Sequence, residues 1–548
     1  MATQQHLVRA LTLLRPMVQR QDFDRINEFV AQYGLEFLIS DDFIDFARGV
    51  KDASSVIFLC TLAVHNAANP VRAQMVLQAY QSIVGGALTE GIAQLPKRHV
   101  LRQTIAALAH KAAIAAPRLD SQKRKGTGQE WLLALELCMD HGALENGLVL
   151  MREHMQRAGA ADYVLLCAKA LIERAASVTE GDTLPWAAWI ALQTAVYEEL
   201  KRQKFSDVAE RVAQLAGEYC HFSGNPADSI AWYEKIPASS DRSIISLYQI
   251  ARGHCHMGET GLAIAHMDQV LARMCTQSND WINQNFLHAD AAGEKADKAS
   301  FNQDAAALAL TDLQNTLSEV DVSPFLVSGT LLGYARNRGF LSHDKDIDVG
   351  IFASQDIFDV LSLLSRSGLF DVKFHFLRVQ DTYQVPIVHR TTGMNIDIFV
   401  YHPQGERLVT GVHGNFGYTQ NFTFTPFTLQ TVRFLDIDFA VPADMALNLQ
   451  ENFGPWQVPD PHFISHLECP TTVDIGGAVY MVVARQEMLR SVVEGKKVKV
   501  ARIAAILRRW QSAEYPMEPS LIERLLARFG MAPDAAPSDT PLETITHA

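Results

Sequence analysis

Residues 328–350 constrain this chain more than any other segment, because they combine a small-residue turn with two closely spaced carboxylates. The turn consists of Ser328, Gly329 and Thr330. It opens a short predicted helix, whose first backbone N–H groups can bind an anion. Asp346 and Asp348 follow, alternating with apolar residues, so both carboxylates lie on one face of a predicted strand. The segment therefore predicts a helix and a strand that meet around a polar site.

The charge pattern of that strand indicates a metal site. Two like charges side by side on a strand are destabilising, and a bound cation would neutralise them. Mg²⁺ commonly binds one or two carboxylates together with substrate phosphates. A third acidic residue, Asp397, interrupts the otherwise apolar strand predicted at 395–400. Three acidic strand residues beside a small-residue turn are the layout of a nucleotidyltransferase-type active site.

A second Asp-x-Asp motif, formed by Asp436 and Asp438, has no such turn beside it. A lone pair of this kind is weak evidence for a site. We interpret this second motif as the edge of a strand or turn without a role in chemistry.

Composition bounds the class of protein. The 548 residues include 61 acidic and 48 basic ones, for a net charge of −13, which argues against sequence-independent nucleic-acid binding. No nucleic-acid partner is expected. Seven scattered cysteines without close pairing favour reduced thiols. The N-terminus lacks a signal-peptide pattern, and the longest apolar run, at 56–64, is too short to span a bilayer. These features predict a cytoplasmic protein.

The first half of the chain, residues 1–275, has apolar residues at helical spacing and little strand character. Two breaks around Gly224 and Gly258 lie 34 residues apart, and small residues such as Ser229 and Ala263 share that offset. This period resembles a tetratricopeptide repeat. The alternative is an irregular helical bundle that repeats once.

The second half has a different texture. A polar linker is predicted at 276–302, followed by a mixed α/β domain at 303–512 and a C-terminal tail at 513–548 with a disordered end. The domain should open with a helix at 303–319. Short strands should then follow at 325–327, 347–351, 385–388, 395–400 and 432–435. The predicted fold class is thus a helical, tetratricopeptide-like region followed by a mixed α/β domain.

Three motifs of this second half resemble the LicD/fukutin family. The segment 328–350 is similar to the family's signature, Asp397-Ile398-Phe399 to its Asp-Ile-Phe strand, and Val441-Pro442 with 452–459 to its closing element. The resemblance covers about residues 303–470. It implies a nucleotidyltransferase-like fold that moves a phospho-alcohol from a CDP-activated donor to a glycan hydroxyl, releasing CMP. Phosphocholine, ribitol phosphate and glycerol phosphate are the groups it implies, with capsule, lipopolysaccharide or teichoic-acid glycans as acceptors.

The resemblance also implies roles for individual residues. Asp346 and Asp348 would hold Mg²⁺ or Mn²⁺ on the donor diphosphate. Asp397 would complete the metal site or accept the proton of the attacking hydroxyl. Arg336 would neutralise charge on the phosphoryl group or the leaving CMP. The residues implied to contact the donor phosphates are Ser328, Gly329, Thr330 and Lys345, the last standing where family members usually carry an acidic residue.

Two alternatives and two further partners stay open at this point. The chain could be a non-catalytic repeat scaffold, or the same site could transfer a nucleotidyl group. The helical half would offer a surface for a protein partner. A basic run at 496–509 could contact an anionic membrane at the inner face, where lipid-linked glycan acceptors would be found. The other interpretation of this run is a solvated helix face.

Overall fold

The computed structural model describes residues 128–140, 144–155, 161–175, 186–285, 302–341, 346–353, 357–373 and 381–532, together with Lys125, Val178, Phe376 and Leu377. Contacts divide the chain into two compact units, and the division between the described helices falls between Ser223 and Gly224. Within the described ranges, no helix has both the length and the apolar character needed to cross a bilayer. The apolar run at 56–64 lies outside the described residues.

The described part of the first unit is helical, as predicted. Its helices are α1 (Gly128–Asp140), α2 (Leu144–Met155), α3 (Ala161–Ala175), α4 (Trp186–Arg202) and α5 (Ser206–Phe222). Apolar residues at helical spacing, such as Val212 and Ala216 of α5, are fully buried. The helical interpretation of residues 1–124 lies outside the described residues.

The second unit begins with four more helices, α6 (Pro226–Tyr233), α7 (Ser243–His256), α8 (Thr260–Met274) and α9 (Asn279–Asn285). Both predicted breaks are turns between helices. Gly224 and Gly258 adopt nearly the same left-handed conformation, with φ of 77° and 78°, which glycine reaches without steric cost. The turns are thereby confirmed, whereas the tetratricopeptide register stays a prediction.

Helices α7 and α8 pack with three C-terminal helices, α15 (Ala478–Val493), α16 (Lys497–Arg509) and α17 (Pro519–Arg528). Their shared core contains Met267, Leu271, Met481 and Leu525. The sequence placed the end of the helical region at residue 275, but these contacts group residues 224–285 with the C-terminal helices. The physical reason is that the C-terminal helices bury the apolar faces of α7 and α8.

The predicted linker and tail also contain ordered helices. Helix α9 lies within the segment 276–302, and Ile282 of this helix is buried in the shared core. Helix α17 lies within 513–548, where Ile522 and Leu525 are fully buried. Residues 286–301 and the predicted disordered end, 533–548, lie outside the described residues.

A buried ion pair joins α8 to α15. The guanidinium of Arg485 is fully buried and donates to both carboxylate oxygens of Asp268, at 2.7 and 3.0 Å. Removing one partner of such a pair leaves the other charge uncompensated in the interior. We therefore expect Asp268→Ala to lower the free energy of unfolding by about 3–5 kcal/mol.

Urea unfolding of the full chain measures this difference. The matched control is Asp438→Ala, which removes the partner of Arg433 from an exposed ion pair and should change stability by less than about 1 kcal/mol. Equal losses of stability in Asp268→Ala and Asp438→Ala would contradict the assignment of Asp268 and Arg485 as a buried, stabilising ion pair.

The mixed α/β domain contains a nine-stranded sheet. Its strands are β1 (Phe325–Leu326), β2 (Ile347–Phe352), β3 (Phe370–Val372), β4 (Gln384–His389), β5 (Asn395–Gln404), β6 (Arg407–His413), β7 (Thr419–Phe424), β8 (Leu429–Phe434) and β9 (Ile437–Pro442). The order is β3-β4-β5-β2-β1-β9-β8, and β6 pairs with β5 and β7. All five predicted strands are present. The hairpin partners β6, β7 and β9 and the short β3 were not predicted.

Helices α10 (Gln303–Ser318), α11 (Ser328–Asn337), α12 (Ile357–Arg366), α13 (Met445–Phe453) and α14 (Ser465–Glu468) complete the domain. One face of the sheet, with Ile347, Val349 and Ile398, packs in a core with α10 and α12. The opposite face carries a separate aromatic cluster around Phe325 and Tyr401. Because strand side chains alternate, Asp348 and Asp397 belong to this second face.

The basic run at 496–509 is less exposed than its sequence indicated. Arg502 of α16 is buried and donates to the carboxylates of Asp460 and Glu468, at 2.6 Å to each. Its charge is therefore neutralised inside the domain, and it cannot belong to a membrane-facing cationic surface. Contact of the remaining basic residues with a membrane stays a prediction.

Candidate active site

Two of the predicted site carboxylates are direct neighbours in the sheet. Strands β2 and β5 pair in parallel, in a register that places Asp348 beside Asp397. Asp346 immediately precedes β2 and is exposed, whereas Asp348 and Asp397 are half-buried. Sheet pairing therefore brings together acidic residues that are 49 positions apart in the chain.

The Ser-Gly-Thr turn lies against the same carboxylates. Ser328 adopts a left-handed conformation with φ of 45°, which is unusual for a residue with a side chain. The N–H of the next residue, Gly329, donates to Oδ2 of Asp348 at 2.8 Å. In return, the N–H of Asp348 donates to Oγ1 of the buried Thr330, also at 2.8 Å. These two bonds fix the start of α11 against β2.

The resemblance implies that Gly329 and Thr330 contact donor phosphates, and in this structure each of them hydrogen-bonds Asp348. A residue that fixes a carboxylate can still lie beside a phosphate held by that carboxylate. Contact with phosphate stays a prediction for Ser328, Gly329 and Thr330.

Asp397 has an environment that opposes its ionisation. Burial, and secondly the charge of Asp346, raise the pKa of Asp397 to about 6. The amide of Gln384 partly offsets this by donating from Nε2 to Oδ2 of Asp397 at 2.9 Å. Such unfavourable clustering of like charges is typical of functional sites rather than of sites selected for stability.

Gln384 is held in turn by the end of β6. Its Oε1 accepts the N–H of His413 at 3.2 Å, so its amide must present the NH₂ group to Asp397. The imidazole Nε2 of His413 accepts the N–H of Tyr383 at 3.1 Å. His413 therefore carries its proton on Nδ1, which donates to Oγ1 of Thr419 at 2.8 Å.

Arg336 points to the closing element of the domain. Its Nε donates to the carbonyl of Trp456 at 2.9 Å, and its Nη2 contacts the carbonyls of Trp456 and Val458. In this structure the guanidinium therefore anchors the 453–459 segment. Its implied role on the phosphoryl group stays a prediction.

Helix α13 reaches the turn through a residue that the sequence analysis did not select. Nδ2 of Asn452 donates to Oγ of Ser328 at 3.4 Å. Asn452 is the first residue of the 452–459 segment, which resembles the family's closing element. Its place in that motif is the sequence signal that could have identified it as a site residue. Gln384 gave a weaker signal, a polar residue at the first position of a strand. Lys345 lies outside the described residues.

The carboxylates suit a divalent cation completed by substrate. As the described side chains stand, no three His, Cys, Asp or Glu residues are arranged to enclose a metal ion. Mg²⁺ does not require such a cage, because one or two carboxylates, waters and phosphate oxygens complete its shell. The charge of Asp346 that disfavours ionisation of Asp397 is the kind of repulsion that a cation would relieve.

The comparisons agree with this geometry. Residues 321–444 match the family described as LicD/FKTN/FKRP, nucleotidyltransferase domain. This region is a LicD/fukutin-family domain. The matched range contains the turn, α11 and all three carboxylates. It ends at Asp444, just before α13.

The relatives that this chain matches include proteins named as transferases. The chain is 30% identical over 146 residues to the mouse ribitol-5-phosphate transferase FKTN, and 27% identical to its human counterpart. Each alignment covers 26% of this chain and 31% of the relative. An uncharacterized protein of Rickettsia prowazekii is 24% identical over 176 residues, covering 30% of this chain and 62% of that protein. The chain thus spans about a third of the FKTN proteins.

Proposed function

We propose that this protein transfers a ribitol-phosphate-type group from a CDP-activated donor to a hydroxyl of a cell-surface glycan, releasing CMP. The observation that carries the proposal is the parallel register of Asp348 with Asp397, beside a turn whose Gly329 N–H donates to Asp348. The family match and the ribitol-5-phosphate transferases among the relatives support the reaction class.

Phosphoryl transfer needs alignment and charge neutralisation more than covalent chemistry. Asp346 and Asp348 would hold Mg²⁺ or Mn²⁺. When bound, the cation would neutralise the donor diphosphate and polarise the transferred group. Asp397 lies beside Asp348 in the sheet, where its carboxylate would accept the proton of the attacking hydroxyl. Gln384 would keep that carboxylate oriented.

A donor screen tests the proposal. The full chain is incubated with CDP-ribitol, CDP-glycerol or CDP-choline and a glycan acceptor, and CMP release is measured with Mg²⁺ and with a chelator. We expect metal-dependent CMP release with CDP-ribitol. Absence of release from all three donors would contradict the proposed reaction.

The mass of the product separates this reaction from nucleotidyl transfer. Transfer of a phospho-alcohol adds that group alone to the acceptor, whereas nucleotidyl transfer adds a much heavier nucleotide. Finding the nucleotide on the acceptor would overturn the proposal in favour of the alternative. Localisation at the inner membrane face and a protein partner for the helical region are further parts of the proposal.

A further inference from the structure

The tip of the β6–β7 hairpin, residues 414–418, packs into the core that α7 and α8 share with the C-terminal helices. Phe416 of this tip is fully buried in that core. Its ring packs edge-on against Tyr248 of α7, with 5.1 Å between the ring centroids. Loop tips normally lie exposed on the surface, so this tip is anchored by a specific contact. Helix α7 precedes the matched range 321–444, and the proposed function gives this contact no role.

Polar contacts from two helices converge on Asn415 in the same tip. Its main-chain carbonyl accepts hydrogen bonds from Nε of Arg252 at 2.8 Å and from Nε2 of His256 at 3.2 Å, both on α7. Its side-chain Oδ1 accepts a hydrogen bond from Nε2 of Gln486, on α15, at 3.2 Å. The hydroxyl of Tyr418 donates to Oε1 of the same glutamine at 2.6 Å. These four bonds fix the tip against helices α7 and α15.

The tip lies so close to α7 that only glycine fits at position 417. Gly417 has φ of 79°, a conformation that residues with a side chain rarely adopt. A Cβ atom placed on it would lie 2.5 Å from Nδ1 of His256. A larger residue would therefore strain the backbone and push the tip away from the helix.

The other end of this tip leads to Asp397. The main-chain N–H of His413, two positions before Asn415, donates to Oε1 of Gln384 at 3.2 Å. The amide of Gln384 then donates to the Asp397 carboxylate at 2.9 Å. Because the donor at His413 is a main-chain group, the position of the hairpin, and not the side chain at 413, sets this bond. A displaced tip would thus release the amide that orients Asp397.

We infer that helices α7 and α15 position the Asp397 carboxylate for the reaction, by holding the hairpin tip that holds Gln384. The inference rests on the proposed function, in which Asp397 accepts the proton of the attacking hydroxyl. Arg252 and Gly417 are then positioning residues, which act through the hairpin without touching the substrate. The helical layer that the sequence assigned to a separate region is, on this basis, part of what makes the site competent.

Steady-state kinetics of CMP release by the full chain tests this inference with Gly417→Ala. We expect kcat to fall about tenfold, since a small misplacement of a reacting group is costly. The donor KM, and the affinity for CMP with Mg²⁺ measured by calorimetry, should be unchanged because Asp346 and Asp348 are not displaced. The matched control is Gly405→Ala, at a glycine with φ of 59° whose added Cβ would have no atom within 4 Å. This control should keep the wild-type kcat.

A double-mutant cycle tests whether the hairpin acts through Gln384. Gln384→Ala alone should also lower kcat about tenfold, because the carboxylate loses the amide that orients it. If Gly417→Ala works by releasing the same amide, the double variant should lose no more than either single variant. Independent effects would instead multiply to about a hundredfold.

A third pair of variants leaves the hairpin sequence intact and covers the case in which Gly417→Ala does not fold. Arg252→Ala removes a donor to the Asn415 carbonyl and should lower kcat without changing the donor KM. Arg252→Lys keeps an N–H donor at that position and should restore most of the wild-type kcat. Thermal unfolding of each variant identifies a folding defect, which by itself would not produce this selective loss of kcat.

The outcomes separate the two levels of the argument. Wild-type kcat in both Gly417→Ala and Arg252→Ala would overturn the positioning role and leave the proposed reaction standing. Multiplicative losses in the double variant, or a raised donor KM with unchanged kcat, would overturn it as well. Failure of the wild type to release CMP from any donor would overturn the proposed function and the positioning role together.

Discussion

Asp348→Asn is expected to lower the rate of CMP release about a thousandfold, because it removes a carboxylate that would hold the cation, and the cation would neutralise the donor diphosphate. The fold should tolerate the change. The Asn side-chain oxygen can still accept the N–H of Gly329, which lies 2.8 Å from Oδ2 of Asp348. The measurement is CMP release at saturating donor, together with a urea unfolding curve to show that the variant is folded.

The chain supplies a matched control for this substitution. Asp438→Asn changes the second residue of the other Asp-x-Asp motif, which lies in β9 and pairs with Arg433 on the surface. We expect it to retain activity within about twofold, as for a surface substitution away from the site. Equal loss of activity in the two variants, or full activity of Asp348→Asn, would contradict the role of Asp348.

Asp397→Asn is expected to abolish transfer while stabilising the metal-free protein at neutral pH. The pKa of Asp397 is raised to about 6, above the usual value of about 4 for an unfolded chain. Between these two values the native state binds more protons than the unfolded state, so stability falls as the pH rises. Above pH 6, where Asp397 is ionised in the native state, its carboxylate lowers the free energy of unfolding by the full amount, about 1–3 kcal/mol.

An uncharged Asn avoids this cost. The free energy of unfolding of Asp397→Asn should therefore exceed that of the wild type by about 1–3 kcal/mol at pH 7.5 in a chelator. The difference should shrink as the pH is lowered through 6 towards 4, where the wild-type carboxyl is protonated. Urea unfolding across this pH range measures it, with Asp438→Asn as the control. A pH-independent difference, or a less stable variant at pH 7.5, would show that Asp397 is not destabilising.

Much of the mixed α/β domain could be predicted from sequence because its signals are local. Alternation in 347–351 and 395–400 predicts strands with carboxylates on one face, and both strands are present. The small residues at 328–330 predict the turn at the start of α11. Strands β6 and β7 were not predicted. Polar residues of these strands, such as Thr410 and Gln420, are buried, so their sequences lack the alternation of buried apolar and exposed polar residues that identifies a strand.

The boundary after the helical region was not predictable from sequence, because an amphipathic pattern does not identify the element that covers it. Helices α7 and α8 carry the same amphipathic pattern whether they pack on another repeat or on C-terminal helices. Only the tertiary structure shows that Asp268 of α8 pairs with the buried Arg485, more than two hundred residues later. A pattern of apolar residues reports that a face is buried, but it does not report which element covers it.

The sequence by itself determined the residue types at the candidate site, which are a small-residue turn, an Asp-x-Asp motif and a third carboxylate, and it showed their resemblance to the LicD/fukutin family. Only the tertiary structure decided how these groups are held. Sheet register sets Asp348 beside Asp397, Gln384 and His413 fix the orientation of that carboxylate, and Arg336 is turned towards Trp456. Residue types and their spacing are local properties of the chain, whereas hydrogen-bond partners depend on distances between segments that only folding brings together.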